Sequence, residues 1–246
     1  MRHSTPAMIR AIDETESERM SEMPAWELLD RERHASLGVS RACDGDRHFA
    51  QIVADEFLRV APHYAIFFTK HPETGAFYAG AVMGLEPGTN LVAINGTLPD
   101  YRPADLERQG FFTSDGQMVI DRDHPVFAEA GGQSLFDMTG EPTAALKRVQ
   151  NAMHTLEVGI PETDSLIQRL LAHRLLEPID VTMDFDDGQH LRLEGLYTIS
   201  LDTLHALPDE TVLDLFRRGD LQLAYAQSAS IRHLRTLGRI RNERTL

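Results

Sequence analysis

The sequence predicts an α+β fold, an antiparallel sheet made of a meander and a later hairpin, with helices packed on one face. Three observations carry this. In residues 179–200, IDVTMDFDDGQHLRLEGLYTIS, Val181, Met183 and Phe185 and then Leu191 and Leu193 alternate with polar side chains, the period of half-buried strands, around Asp187-Gly188. Three apolar runs, residues 64–69, 77–85 and 91–94, are separated only by HPETG and EPGTN, connections too short for crossover helices. The second half of the chain then carries apolar stripes at helical spacing.

Taken in order, residues 1–23 are polar, acidic and without periodicity, which predicts a mobile arm ahead of a single domain over 24–246. Trp26, Leu28 and Leu29 are its first apolar anchor. Phe49, Ile52, Val53, Phe57 and Val60 predict a helix that Pro62 ends, and the meander follows. Residues 117–121 after Asp115-Gly116 read as a short strand, and residues 131–142, GGQSLFDMTGEP, are too glycine-rich to be regular throughout. Leu146, Val149, Met153 and Leu156 predict a helix between Pro142 and Gly159; Leu166, Ile167, Leu170 and Leu171 predict another, ended by Pro178.

In the hairpin, a two-residue loop at Asp187-Gly188 sets Phe185 opposite His190 and mixes the faces. A three-residue loop over 187–189 pairs Phe185 with Leu191 and Met183 with Leu193. The second register is expected, because a one-residue slip turns a strand inside out. Two helices close the chain, residues 209–218 stopped by Gly219 and residues 221 to about 239. In the latter, Leu223, Ala226, Leu234 and Leu237 share one side, and Arg232, Arg235 and Arg239 the other.

The net charge of -14 argues against binding to nucleic acid or to anionic membrane surfaces. Only the end of the chain dissents: from residue 217 onward seven arginines face Asp220 and Glu243, about +5 against an acidic body. Cys43 is the single cysteine, which excludes an intramolecular disulfide and a thiolate zinc cluster. No apolar run is long enough to cross a bilayer, and the first twenty residues lack a secretion signal's hydrophobic segment. These features predict a cytoplasmic protein without membrane insertion.

Several stretches together carry a family resemblance: LDRERHASLGV at 29–39, HYAIFFTKHPETGAF at 63–77, GLEPGTNLV at 84–92, SLFDMTGEPTAAL at 134–146, LLEPIDVTMDFDDGQHLRLEGLYTI at 175–199 and LFRRGDLQLAYAQSASIRHL at 215–234. In this series the chain resembles the SapC family of bacterial proteins, named for an association with surface-layer proteins. It departs from the family's usual residues at Ala65, Thr89 and Gly110-Phe111. The resemblance implies no reaction and no cofactor. It implies an accessory place in an envelope, uptake or modification pathway, among tryptophan-halogenase-like flavoproteins and cupin-type proteins that are candidate partners.

Signatures of chemistry are sparse. There is no GxxxxGK[ST] loop, no GxGxxG turn after a strand and no HExxH helix, and Ser134 lacks the trailing glycine of a hydrolase elbow. The eleven histidines, His63 and His71 flanking a strand among them, read as solvated or capping residues ahead of metal ligands, so no metal site is assigned. The loops at Glu86-Pro87-Gly88 and Gly140-Glu141-Pro142 explain their glycines and prolines but not their polar neighbours. Glu86, Asn90, Asp137 and Glu141, with Tyr101 and Tyr197, are therefore the candidate ligand-binding residues, and Arg232, Arg235 and Arg239 the candidate partner-binding ones. Two readings follow, a non-catalytic accessory protein acting through protein contacts and, as rivals, a metal-dependent or halogenase-pathway enzyme or a small-ligand or peptide carrier.

Overall fold

The computed structural model describes residues 26–128 and 132–245, so the arm expected at residues 1–23 and Gly131 lie outside the described residues. In chain order the strands are β1 (Trp26–Leu28), β2 (Gly38–Val39), β3 (Phe49–Ile52), β4 (Ala65–Lys70), β5 (Phe77–Val82), β6 (Phe111–Ser114), β7 (Gln117–Asp121), β8 (Phe127–Ala128), β9 (Gln133–Ser134), β10 (Leu176–Asp184) and β11 (His190–Ile199). The α-helices are α1 (Phe57–Val60), α2 (Ala104–Glu107), α3 (Ala144–Ala172), α4 (Leu201–His205), α5 (Asp209–Arg218), α6 (Asp220–Ser230) and α7 (His233–Thr245). The fold is α+β.

A five-stranded antiparallel sheet in the order β10-β11-β4-β5-β3 is the frame, and the later hairpin extends the same sheet as the meander. Its third meander strand is not the expected one. Residues 91–94 form no strand, because Asn90 Oδ1 accepts the backbone N–H groups of Val92 and Ala93, both at 2.9 Å, which a ladder would otherwise use. Instead β3 pairs with β5, Phe49 opposite Val82 and Ile52 opposite Ala79. The helix expected over 49–60 begins only after it, with a 3-10 turn, Ala54–Glu56, leading into α1. Phe49, Ala50 and Ile52 are all buried, so β3 carries no polar face for alternation to reveal.

In the β10–β11 hairpin the apolar faces match as expected, but the loop is residues 186–188 rather than 187–189. Met183 lies opposite Leu191 and Val181 opposite Leu193. The Gly188 N–H donates to the Phe185 carbonyl, and the Phe185 N–H to that of Gln189, both at 2.9 Å. This turn needs its left-handed residue last, and Gly188, with φ 81°, takes that place. Gly195, with φ 75°, sits in the bulge between Ile179 and Val181. Beyond it, β11 meets β4 at Tyr197 opposite Phe68. Gln227 splices the two strands: its Nε2 donates to the Ile66 carbonyl at 2.8 Å and its Oε1 accepts the Ile199 N–H at 3.1 Å.

The two helices expected across Gly159 are one, the 29-residue α3, which runs through Pro161. A Cβ on Gly159 would lie 2.6 Å from Val53, so glycine lets the helix press against the segment after β3. α5 ends at Gly219 as predicted, in the left-handed conformation. The last predicted helix is broken between α6 and α7. Ser230 ends α6 because its hydroxyl accepts the Ile66 N–H at 2.9 Å and donates to the Gln227 carbonyl at 2.6 Å.

Side chains alternate across the sheet into two cores. Ile66, Phe68, Ala79 and Ala81 pack with Leu166, Ile167 and Leu170 of α3, the layer expected from the sequence. Ala65, Phe67, Val82 and Leu193 pack with Leu234 and Leu237 of α7, so the sheet is covered on its second face as well. Two small three-stranded sheets, β1-β7-β6 and β8-β2-β9, flank the first half of α3 over a core that includes Phe111, Ile120 and Leu135.

Candidate functional site

Asp100, Tyr101 and Arg102 lie between the sheet and α2, and each turns to a different neighbour. Asp100 Oδ2 is 3.5 Å from His63 Nδ1. The Tyr101 carbonyl accepts the buried Tyr64 hydroxyl at 2.7 Å, while the Tyr101 hydroxyl donates to Glu56 Oε1 at 2.8 Å. Arg102 grips Asp44 with two nitrogens, Nε at 2.9 Å and Nη2 at 2.7 Å, and reaches Glu107 with Nη1 at 2.9 Å. Pro103 then opens α2, whose Ala104 N–H donates to the same Glu56 Oε1 at 2.8 Å.

The Arg102 side is a closed ionic network. Asp44 is fully buried and also receives Gln109 Nε2 at 3.2 Å, while Glu107 receives Arg41 at 2.7 Å and Arg148 of α3 at 3.1 Å. Asp105 is held by Arg47 at 2.7 Å and Arg108 at 3.0 Å. Desolvation alone raises a buried carboxyl, but Arg102 and Arg41 outweigh it at Glu107, and Arg47 and Arg108 at Asp105, so both lie below the usual carboxylate range. Glu56 goes the other way: burial pushes it up against the opposing hydrogen bonds from Ala104, Val53 and Tyr101. Such a network is occupied with itself. Removing one partner strands a buried charge, which costs about 3–5 kcal/mol in comparable pairs.

On the Asp100 side lies a cavity of about 260 Å³ between the sheet and α7. Val82, Val92, Leu237 and Ile240 wall it, and His63, Asp100, His233 and Thr236 are its polar groups. His233 Nε2 is 3.0 Å from the Ala61 carbonyl, and desolvation, with Arg232 beside it, holds its ring below the ordinary imidazole range. Among the described residues no group of three or more His, Cys, Asp or Glu side chains is arranged to hold a metal ion. A wider groove of about 460 Å³ between α3 and the start of α6 has Arg169 and Asp220 in its lining, and these bind each other at 2.6 and 2.8 Å.

The SapC family model matches residues 29–237. The chain belongs to the SapC family. No curated protein and no solved structure matches it. The SapC match takes in His63, Asp100, Arg102 and His233, together with Arg232 and Arg235, and stops short of Arg239.

The structure does not gather the six predicted ligand-binding residues into one place. Asn90 is buried and works as a brace: its Nδ2 donates to the Asp44 carbonyl at 3.0 Å. Asp44 in turn binds Arg102, the residue after Tyr101, whereas the hydroxyl of Tyr101 itself turns to Glu56. Glu86 is exposed at the start of a turn. Asp137 caps its own turn, its Oδ1 accepting from Thr139 Oγ1 at 2.6 Å and from the N–H groups of Thr139 and Glu141; Glu141 is exposed beside it. Tyr197 stands in the sheet, edge-on to Phe77 at 4.8 Å with Lys70 Nζ 5.1 Å from its ring.

The three predicted partner-binding arginines are all exposed, Arg232 just before α7 and Arg235 and Arg239 on it. Further along α7, Arg241 pairs with Asp187 at 2.7 Å and lies 4.1 Å over the Phe185 ring, and Arg244 donates to the carbonyls of Asn90 and Ala93. Those two tie the helix to the body. Arg239 pairs with Glu243, one turn on, and among the described residues Arg232 and Arg235 have no side-chain hydrogen bond or ion pair. Sequence reasoning had noted His63 beside a strand but passed over Asp100, Arg102 and His233. Asp44 and Arg102 are 58 residues apart, a separation that no motif spacing encodes.

Proposed function

We propose that the chain is a non-catalytic accessory protein that binds an acidic protein partner through Arg232, just before α7, and the outward arginines of α7, Arg235 and Arg239. The observation that carries this is the division of labour along α7 and the residue that leads into it. Arg241 and Arg244 are spent on the protein's own carboxylate, ring and carbonyls, while Arg232 and Arg235 are exposed without a counter-ion among the described residues, on a chain whose net charge is -14. Exposed guanidinium groups facing solvent add little to stability but steer and orient an oppositely charged surface. The saturated ionic network supports a binding role, since its carboxylates are engaged by arginines rather than poised to exchange protons. A flavoprotein or cupin-type protein of the same pathway is the proposed partner.

The test is the triple variant Arg232→Glu, Arg235→Glu, Arg239→Glu. Its thermal unfolding should match the parent, because among the described residues the only ion pair it breaks is the exposed one to Glu243. Its affinity for a partner recovered with the parent chain should drop at least about tenfold, and more at low salt. Equal recovery with parent and variant sinks the proposal.

A further inference from the structure

We propose that the cavity between the sheet and α7 is a site for a small protonated amine with an apolar body, its ammonium group held by Asp100 and by the remaining ring nitrogen of His233, with the His63 ring beside them. This site does not rest on the partner reading. The tautomer of His233 follows from its neighbour. A backbone carbonyl only accepts, so His233 Nε2, 3.0 Å from the Ala61 oxygen, carries its proton, and Nδ1 of the neutral ring is left as an acceptor. His63 Nδ1 lies 3.5 Å from Asp100 Oδ2 beside the same cavity. The polar side of the cavity is therefore one carboxylate and the imidazole acceptor of His233, with the Thr236 hydroxyl able to serve as another and the His63 ring next to them.

Such a set prefers a donor that carries positive charge. A carboxylate ligand would meet Asp100 and a ring lone pair, and an uncharged apolar one would desolvate both without pairing them. The low basicity of His233 reinforces this by keeping its ring neutral. Arg232, the neighbouring cation just before α7, is exposed, and it acts on His233 in the same direction as the larger effect of desolvation. Val82, Val92, Leu237 and Ile240 supply the apolar wall, and about 260 Å³ lies below the range of pockets that take drug-sized molecules, so the ligand is small.

The experiment is a titration of the full chain, its histidine rings isotope-labelled and read by NMR at about pH 8, where free imidazole is neutral. Butylammonium, butyrate and 1-butanol serve as size-matched probes, and zinc chloride as a fourth. Butylammonium should shift the ring signals of both His63 and His233 and saturate. Asp100→Asn should weaken that binding at least about tenfold, the value of a lost charged hydrogen bond. The Asp100 side chain is 52% exposed, so this variant keeps the fold, which circular dichroism checks. Butyrate binding as tightly as butylammonium would overturn the proposal. So would butanol binding as tightly and indifferent to Asp100→Asn, zinc saturating the rings in preference to the amine, or no probe saturating. None of these outcomes bears on Arg232, Arg235 or Arg239.

Discussion

The His48 carbonyl accepts the backbone N–H groups of Met83 and Gly84, at 2.8 and 3.0 Å, which seats the imidazole in the interior, where Nε2 has no hydrogen-bond partner among the described residues. Burial first, and Arg47 second, push its pKa down to about 4, from 6.5 in an unfolded chain. The native state thus binds this proton more weakly than the unfolded state does. Its contribution is fully present above pH 6.5 and is lost as pH falls toward 4. Between neutrality and about pH 5 the loss is roughly 2 kcal/mol. Glu56, pushed up by burial, works in the opposite sense, and Glu107 and Asp105, pushed down, titrate at lower pH, so the bare profile of the protein mixes signs. A variant separates them. His48→Leu should leave urea stability at neutral pH within about 1 kcal/mol, since an unpaired buried nitrogen is removed with the ring. It should also flatten the slope between neutrality and pH 5; an unchanged slope would show that His48 titrates normally.

Within α3, two neighbouring residues should respond in opposite directions to the same substitution. Alanine is ordinarily the better helix former by about 1 kcal/mol over glycine and about 3 kcal/mol over proline. At exposed Pro161 that preference rules, because the proline gives up the N–H that would bond back to Glu157; Pro161→Ala should raise stability by about 1–3 kcal/mol. At buried Gly159 packing rules instead. The new methyl meets the rigid branch of Val53 at 2.6 Å, and Gly159→Ala should lower stability by about 1–3 kcal/mol despite the propensity gain. Denaturant midpoints of the two single variants decide it, and two shifts of the same sign would refute the packing argument. The same helix shows what a sequence discloses about elements. Its stripes, Leu146 to Leu156 and Leu166 to Leu171, were legible, but glycine and proline read as punctuation when here one admits a neighbour and the other is tolerated on an exposed face. The hairpin faces were legible because residues 179–199 are half-buried and alternate, and Gly219 stopped α5 through a local backbone preference. β3 was not, since a strand enclosed on both faces loses its period. Nor was the candidate site, because Asp44, Arg102, His63 and His233 meet through folding rather than spacing.

At the scale of the whole molecule, the charge asymmetry and the α+β class were readable, whereas the role of α7 as cover for the sheet's second face depends on a break at residues 231–232 that sheet hydrogen bonds impose from outside the helix. Two kinds of contact hold that cover, and their magnitudes differ. Leu234 and Leu237 are buried against Ala65, Phe67, Val82 and Leu193. Arg241 and Arg244 tether the last turns from partly exposed positions, where such contacts are worth about 1 kcal/mol or less each. Truncating a buried leucine costs about 2–5 kcal/mol, a large share of the roughly 5–15 kcal/mol that holds a domain folded. Leu237→Ala should therefore destabilise the protein several times more than Arg244→Ala. It should also speed hydrogen exchange along β4 and β11, where α7 shields the ladder, while amides on the α3 side keep their protection. If Arg244→Ala proved the costlier change, α7 would be an appendage held by its charges, and the cavity at its start would lose the wall on which ligand binding depends.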